Sequence, residues 1–249
     1  MKIEGKAAWI SGGGSGIGRA AVLALVERGA QVVVADIAEK AGRQTVDLAA
    51  ERGGTAVFVR CDVTNTQDLA GGFAGAIERF GRLDIAFNNA GIGGEDLFAE
   101  DPGDWARIID IDLIAVIDAT RIAVREMKRT GRGGVIINTA SVIGLWPMAN
   151  APVYAAAKAG VVNFSRSLAH LAEESHIRVN AICPELVDTP MALALGEESL
   201  KELRKTGGIL RPEEIAAGVV ELIEDDTRAG AVMSITTRNG REYVTTPEG

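Results

Sequence analysis

Along the chain, short runs of apolar and β-branched residues alternate with stretches in which apolar positions recur every three or four residues. The first pattern suits strands covered on both faces, the second helices with one apolar side. The runs predict strands at Ala7–Ile10, Gln31–Ala35, Ala56–Arg60, Leu83–Phe87, Gly134–Thr139, Ile177–Ile182 and Ala231–Thr236. The periodicity predicts helices near Ile17–Arg28, Lys40–Arg52, Gln67–Phe80, Trp105–Arg129 and Val153–Ser175, a Leu-rich segment from Met191 to Lys205, and a helix near Pro212–Glu224.

Strand and helix alternate throughout, which is the order of a parallel sheet with helices on both faces, because each parallel connection must cross over. The expectation is an α/β fold: a single Rossmann-type doubly wound domain over residues 1–249, with a seven-stranded parallel sheet and a lid segment at about 189–211. Composition adds limits. Hydrophobic residues make up 47% of the 249, and no run of one charge or of Pro and Ser divides them, so one core is expected. The net charge of -8, without clustered Lys and Arg, speaks against a nucleic-acid surface. Neither a signal-length apolar stretch at the N-terminus nor a later membrane span is visible, which points to a cytoplasmic protein. Cys61 and Cys183 lack metal-ligand spacing and suit buried free thiols, while His170 and His176 have no partners for a metal site or a hydrolytic triad. No metal is expected.

The first strand runs into Ser11-Gly12-Gly13-Gly14-Ser15-Gly16-Ile17-Gly18, and a helix begins inside that run. Glycines allow a sharp turn and a close backbone approach, and the free amides at the helix start favour phosphate. Gly12, Gly14, Ser15, Gly16, Ile17 and Gly18 are therefore candidate cofactor contacts. Asp36 closes the second strand about twenty residues further on, followed by Ile37, and a carboxylate there can accept both hydroxyls of an adenosine ribose. It would repel a 2′-phosphate, so NAD is expected rather than NADP, although Arg19 and Arg43 lie near. Cys61-Asp62-Val63 after the third strand can meet the adenine, and Asn89-Ala90-Gly91 after the fourth leaves room for the cofactor near the backbone. Loop capping explains either stretch nearly as well.

Tyr154 and Lys158 stand four residues apart, on one helical face, downstream of Ser141. A phenol titrates near pH 10 and serves as a base near neutrality only if a fixed positive charge stabilises its phenolate. Lys158 can supply that charge and Ser141 can hold a substrate oxygen.

Taken together, Ser11–Gly18, Asp36, Asp62, Asn88–Gly91, Ser141, Tyr154, Lys158 and Ile182–Thr189 make the chain resemble the short-chain dehydrogenase/reductase family over nearly its whole length. Gly208-Ile209-Leu210, Leu222 to Asp226 and Ile235-Thr236-Thr237 are similar to the 15-hydroxyprostaglandin dehydrogenase type. The resemblance implies an NAD-linked secondary alcohol dehydrogenase with Tyr154 as acid/base, Lys158 lowering its pKa and binding the nicotinamide ribose, and Ser141 positioning the substrate oxygen. It implies that Pro184, Val187 and Thr189 hold the nicotinamide. It further implies a homodimer or homotetramer built on the helices matching Trp105–Arg129 and Val153–Ser175.

Two residues depart from the family pattern. Asp112 stands where Asn is usual; it can pair with Lys158 and raise the tyrosine pKa, or stay neutral by burial and act as Asn does. Glu185 stands where Gly usually follows the Pro, and can disturb the loop or bring a carboxylate to the substrate. Ile143, Trp146, Met148, Ala151 and Leu186, with Met191, Leu193 and Leu195 in the lid, suggest a hydrophobic alcohol or ketone. An NADPH-linked carbonyl reductase and a non-catalytic dinucleotide sensor or scaffold are the alternatives.

Overall fold

The computed structural model describes residues 1–94, 97, 98, 100 and 103–245. Its elements run β1 (Ala7–Ser11), α1 (Gly16–Val26), β2 (Gln31–Asp36), α2 (Glu39–Glu51), β3 (Thr55–Arg60), α3 (Thr66–Phe80), β4 (Ile85–Asn88), α4 (Trp105–Ile109), a π turn (Asp110–Ile114), α5 (Ala115–Thr130) and β5 (Gly134–Thr139). A 3-10 turn (Val142–Gly144), α6 (Pro152–Ser167), α7 (Leu171–Ser175), β6 (Ile177–Pro184), a second 3-10 turn (Pro190–Leu195), α8 (Glu197–Thr206), α9 (Pro212–Glu224), β7 (Val232–Thr236) and β8 (Gly240–Tyr243) follow.

The sheet order is β3-β2-β1-β4-β5-β6-β7-β8. The chain reverses direction between β3 and β4, so the carboxyl ends of β1 and β4 border the crevice where such folds bind ligands. Strands alternate their side chains between two apolar layers. Val32 and Val34 of β2 meet α1 and α9 on one face, while Val33 and Ala35 join Trp9, Leu69, Phe73 and Ile122 on the other. Burial on both faces explains why the strands are continuous apolar runs.

Among the described residues the sheet has eight strands where seven are expected. The extra one, β8, pairs antiparallel with β7, with Met233 opposite Tyr243. Its sequence Gly-Arg-Glu-Tyr carries no apolar run because it is an exposed edge strand. Glu221 of α9 fastens it by accepting from the Tyr243 hydroxyl and pairing with Arg241.

Two long predicted helices are also broken. The 105–129 segment contains the π turn Asp110–Ile114, where one extra residue widens the helix and re-aims Asp112 inward. The 153–175 segment stops at Ser167, where bonds tighten to Leu168→Ser165 and Ala169→Arg166, and resumes at Leu171. His170 and His176 flank that last short helix. Among the described residues, no helix is long and apolar enough to cross a membrane.

Candidate active site

The β1–α1 turn is shaped by contacts that only glycine allows. Gly12 and Gly16 have φ of 64° and 48°, the left-handed region. A Cβ on Gly18 would lie 2.1 Å from the Gly12 carbonyl oxygen. The first amides of α1 receive no side-chain cap from Ser15, so the positive end of the helix faces the crevice free for an anion. Ser11, buried at the end of β1, joins this turn to β4: its Oγ accepts from the amides of Asn89 (3.0 Å) and Ala90 (3.2 Å). Asn89 returns a side-chain bond to the Ser11 carbonyl at 3.2 Å.

Asp36, half-buried at the end of β2, accepts from the Gly14 amide at 2.8 Å and from the Ala38 amide at 2.8 Å. The carboxylate is thus fixed beside the turn. Arg19 donates to the Gly14 carbonyl and to Thr45 and Gln44, while Arg43 pairs with Glu39. Ile37 is exposed beyond the strand. After β3, Cys61 is buried, with desolvation pushing its thiol up to about 12. Asp62 accepts from the Thr64 hydroxyl (2.7 Å) and amide (3.0 Å), which hold its carboxyl below the usual range. Val63 beside it is half-buried.

Ser141, Tyr154 and Lys158 come together from two elements. Ser141 follows β5, where its Oγ accepts from the Ile143 amide and donates to the Pro184 carbonyl, both at 3.3 Å. Tyr154 lies in the first turn of α6, started by Pro152, and the Ser141 side chain is among the groups that favour its phenolate. Lys158, one turn later, is buried; Nζ donates to the Thr139 carbonyl (3.1 Å) and to Asp112 Oδ1 (3.2 Å), and lies 5.5 Å from the Tyr154 ring centroid. Burial raises the tyrosine pKa, Lys158 lowers it, and Asp112 raises it again. Asp112 is fully buried, so it borders the lysine rather than the cleft.

Glycines pack closely around these groups, and two of them, Gly94 and Gly144, carry no sequence signal of their own. A Cβ on Gly91 would lie 2.6 Å from Asp112 Oδ1, one on Gly94 2.6 Å from Tyr154 Cβ, and one on Gly144 2.6 Å from the Lys158 carbonyl carbon. The Thr139 carbonyl and the Ile92 amide, which bonds Asp112 Oδ1 at 3.2 Å, were equally invisible in the sequence because backbone groups serve there.

After Pro184, the chain places Glu185 outward. Its Oε2 accepts from the Thr237 amide (2.8 Å) and hydroxyl (3.0 Å), and no positive φ is needed at that position. Val187 is buried and bridges to Leu210; Thr189 donates to the Val187 carbonyl at 3.3 Å and packs on Gly16. Arg204 of α8 meets both oxygens of Asp188 through its guanidinium at 2.7 Å. Trp146, Met148, Met191, Leu193 and Leu195 are exposed, whereas Leu186 packs beside Ala192, Leu200 and Ile209. Among the described residues, no group of three His, Cys, Asp or Glu is arranged to hold a metal ion.

Residues 6–200 match the family model described as short chain dehydrogenase. The chain is 39% identical to the human (Homo sapiens) 15-hydroxyprostaglandin dehydrogenase [NAD(+)], with 99% of this chain and 98% of that protein covered. It is 36% identical to a cyclohexanol dehydrogenase of Acinetobacter sp., covering 90% of each. In structure it is similar to a short-chain type dehydrogenase/reductase from Mycobacterium marinum, with a TM-score of 0.86, 30% identity, and 95% and 96% of the two chains covered.

Proposed function

The chain belongs to the short-chain dehydrogenase family, and from that premise we propose that it interconverts a secondary alcohol and a ketone with NAD, using Ser141, Tyr154 and Lys158. The observation that carries this is the joining of three groups at one place: the Tyr154 phenol and Ser141 act on one another, and the buried Lys158 ammonium lies 5.5 Å from the tyrosine ring.

The glycine turn and the uncapped start of α1 suit the pyrophosphate of NAD, and Asp36 suits its adenosine ribose. Both nearby arginines are engaged by protein groups, which leaves neither waiting for a 2′-phosphate. NAD, when bound, supplies the hydride acceptor. Tyr154 as phenolate takes the hydroxyl proton of the alcohol, and the neutral phenol returns it when a ketone is reduced. Ser141 donates to the same substrate oxygen and fixes its position. Lys158 supplies positive charge that favours the phenolate against the burial that raises the tyrosine pKa.

The exposed Trp146, Met148, Met191, Leu193 and Leu195 favour a hydrophobic lipid-like or alicyclic alcohol. Relatives named for hydroxyprostaglandin and cyclohexanol oxidation support that class. Trp105, Ile114 and Ile117, exposed along α4, the π turn and α5, suit a contact between copies of the chain.

NADH formation from a panel of secondary alcohols tests the assignment. Tyr154→Phe should lower turnover by about 10³-fold or more while leaving NADH affinity nearly unchanged. A Tyr154→Phe protein turning over near the parent rate removes the tyrosine from the chemistry.

A further inference from the structure

Asp112 lies fully buried beneath Lys158, and the groups that meet its carboxyl do so as donors. Oδ1 receives the Lys158 ammonium and the Ile92 amide, each at 3.2 Å. Oδ2 is buried and, among the described residues, has no hydrogen-bond partner. A proton placed on the carboxyl would therefore find no acceptor, whereas a carboxylate meets a cation and an N–H. Gly91 leaves the space for this contact, since a Cβ there would press on Oδ1 at 2.6 Å.

We propose that Asp112 is a positioning residue whose carboxylate pairs with Lys158 and offsets much of the positive charge presented to Tyr154, so that the pair, rather than the lysine alone, sets the pH range of turnover. This rests on the assignment of Tyr154 as the acid/base group. The ionisable groups that act on Tyr154 are Lys158 from the same helix, Asp112 from the π turn and Cys183 from β6; Lys158 favours the phenolate and the other two oppose it. Burial holds the Asp112 carboxyl above the usual carboxylate range, with Lys158 and the Ile92 amide opposing it in part. At the alkaline pH where a phenol titrates, the carboxyl is ionised and its opposition is in force.

Removing the negative charge while keeping the shape should make the tyrosine ionise earlier. The chain has two tyrosines, Tyr154 and Tyr243, and the second is pushed up to about 12 by burial and by Glu221. In a Tyr243→Phe background, phenolate absorbance therefore reports Tyr154 alone, read after rapid pH jumps before the chain unfolds. Asp112→Asn should move that titration, and the acid limb of kcat/KM for alcohol oxidation, down by about one pH unit, a roughly tenfold faster reaction on the limb. Asp112→Ala, which also removes the charge, should move it the same way if the Asn variant does not fold. A titration that stays in place or moves upward in the folded variant overturns the proposal. The absorbance needs no turnover, so a downward shift in a protein whose Tyr154→Phe form still oxidises alcohols would retain the charge coupling and reject the catalytic assignment.

Discussion

Glu185 illustrates how a residue can depart from a family pattern at little cost. Its backbone needs no left-handed conformation, and its carboxylate is taken up by Thr237 at the end of β7. The side chain neither distorts the turn nor reaches the cleft. Glu185→Ala should therefore leave kcat and KM within about twofold and cost no more than about 1 kcal/mol of stability, as for an exposed hydrogen-bonded group, which turnover assays and denaturant unfolding check. Gly144 is the opposite case. Its missing side chain lets the turn after Ser141 rest on the backbone of α6 at Lys158. Gly144→Ala should cost about 1–3 kcal/mol as an overpacking change and reduce turnover by separating serine from tyrosine. Unchanged unfolding and activity would show that the turn has slack. Sequence made Ser141, Tyr154 and Lys158 legible because their chemistry resides in side chains, the last two at helical spacing. It could not single out Gly144, Gly94 or the Thr139 carbonyl, because their role is to be close to something distant in the chain.

Between elements, α5 and α6 are tied to the sheet by a buried polar chain. Asn88 of β4 donates to Thr120 of α5 at 3.1 Å and to Asn138 of β5 at 2.8 Å, and Asn138 donates to Ser165 of α6 at 3.0 Å. All four side chains are buried, so each depends on the others for its bonds. Thr120 also donates to Asn138 at 3.2 Å, so Asn138→Ala removes bonds to three partners at once and should destabilise the fold by about 2–4 kcal/mol, visible as a lower thermal midpoint even where NADH still binds. An unshifted midpoint would mean that the network does not fasten the layers. The period of the apolar positions predicted α5 and α6 but not the interruptions in them. A π turn and a tightened helix end change one or two hydrogen bonds while leaving the apolar period nearly intact. The edge strand β8 escaped for the converse reason, since its pairing is backbone-driven and its side chains face solvent.

At the scale of the molecule, several groups keep their protons in the folded state longer than they would in an unfolded chain. Burial takes both Cys61 and Cys183 from 9.0 to about 12, and Tyr243 moves from 10.0 to about 12. Between pH 9 and 12 the unfolded chain binds fewer protons than the folded one, so stability must fall as pH rises through that window. The thermal midpoint should decline from pH 9 upward, and replacing both thiols by alanine should flatten the decline after their packing loss is subtracted at pH 7. An equally steep decline in the double variant would place the alkaline sensitivity elsewhere. The acid side has the reverse sign. Asp62, Asp118, Asp188 and Asp225 are held below the usual carboxylate range by hydrogen bonds and cations, so their contribution is present above that range and is lost as pH falls.

The sequence by itself determined the layered α/β order, the glycine turn with Asp36, and the three polar residues that mark the cleft, because periodicity and side-chain chemistry act over a few residues. Tertiary structure alone decided the eighth strand, the outward course of Glu185, and the contact of Asp112 with Lys158 across 46 residues of chain. Those features depend on which surfaces exclude water together and on where a backbone can approach a side chain. Such distances are set only when the whole sheet is assembled.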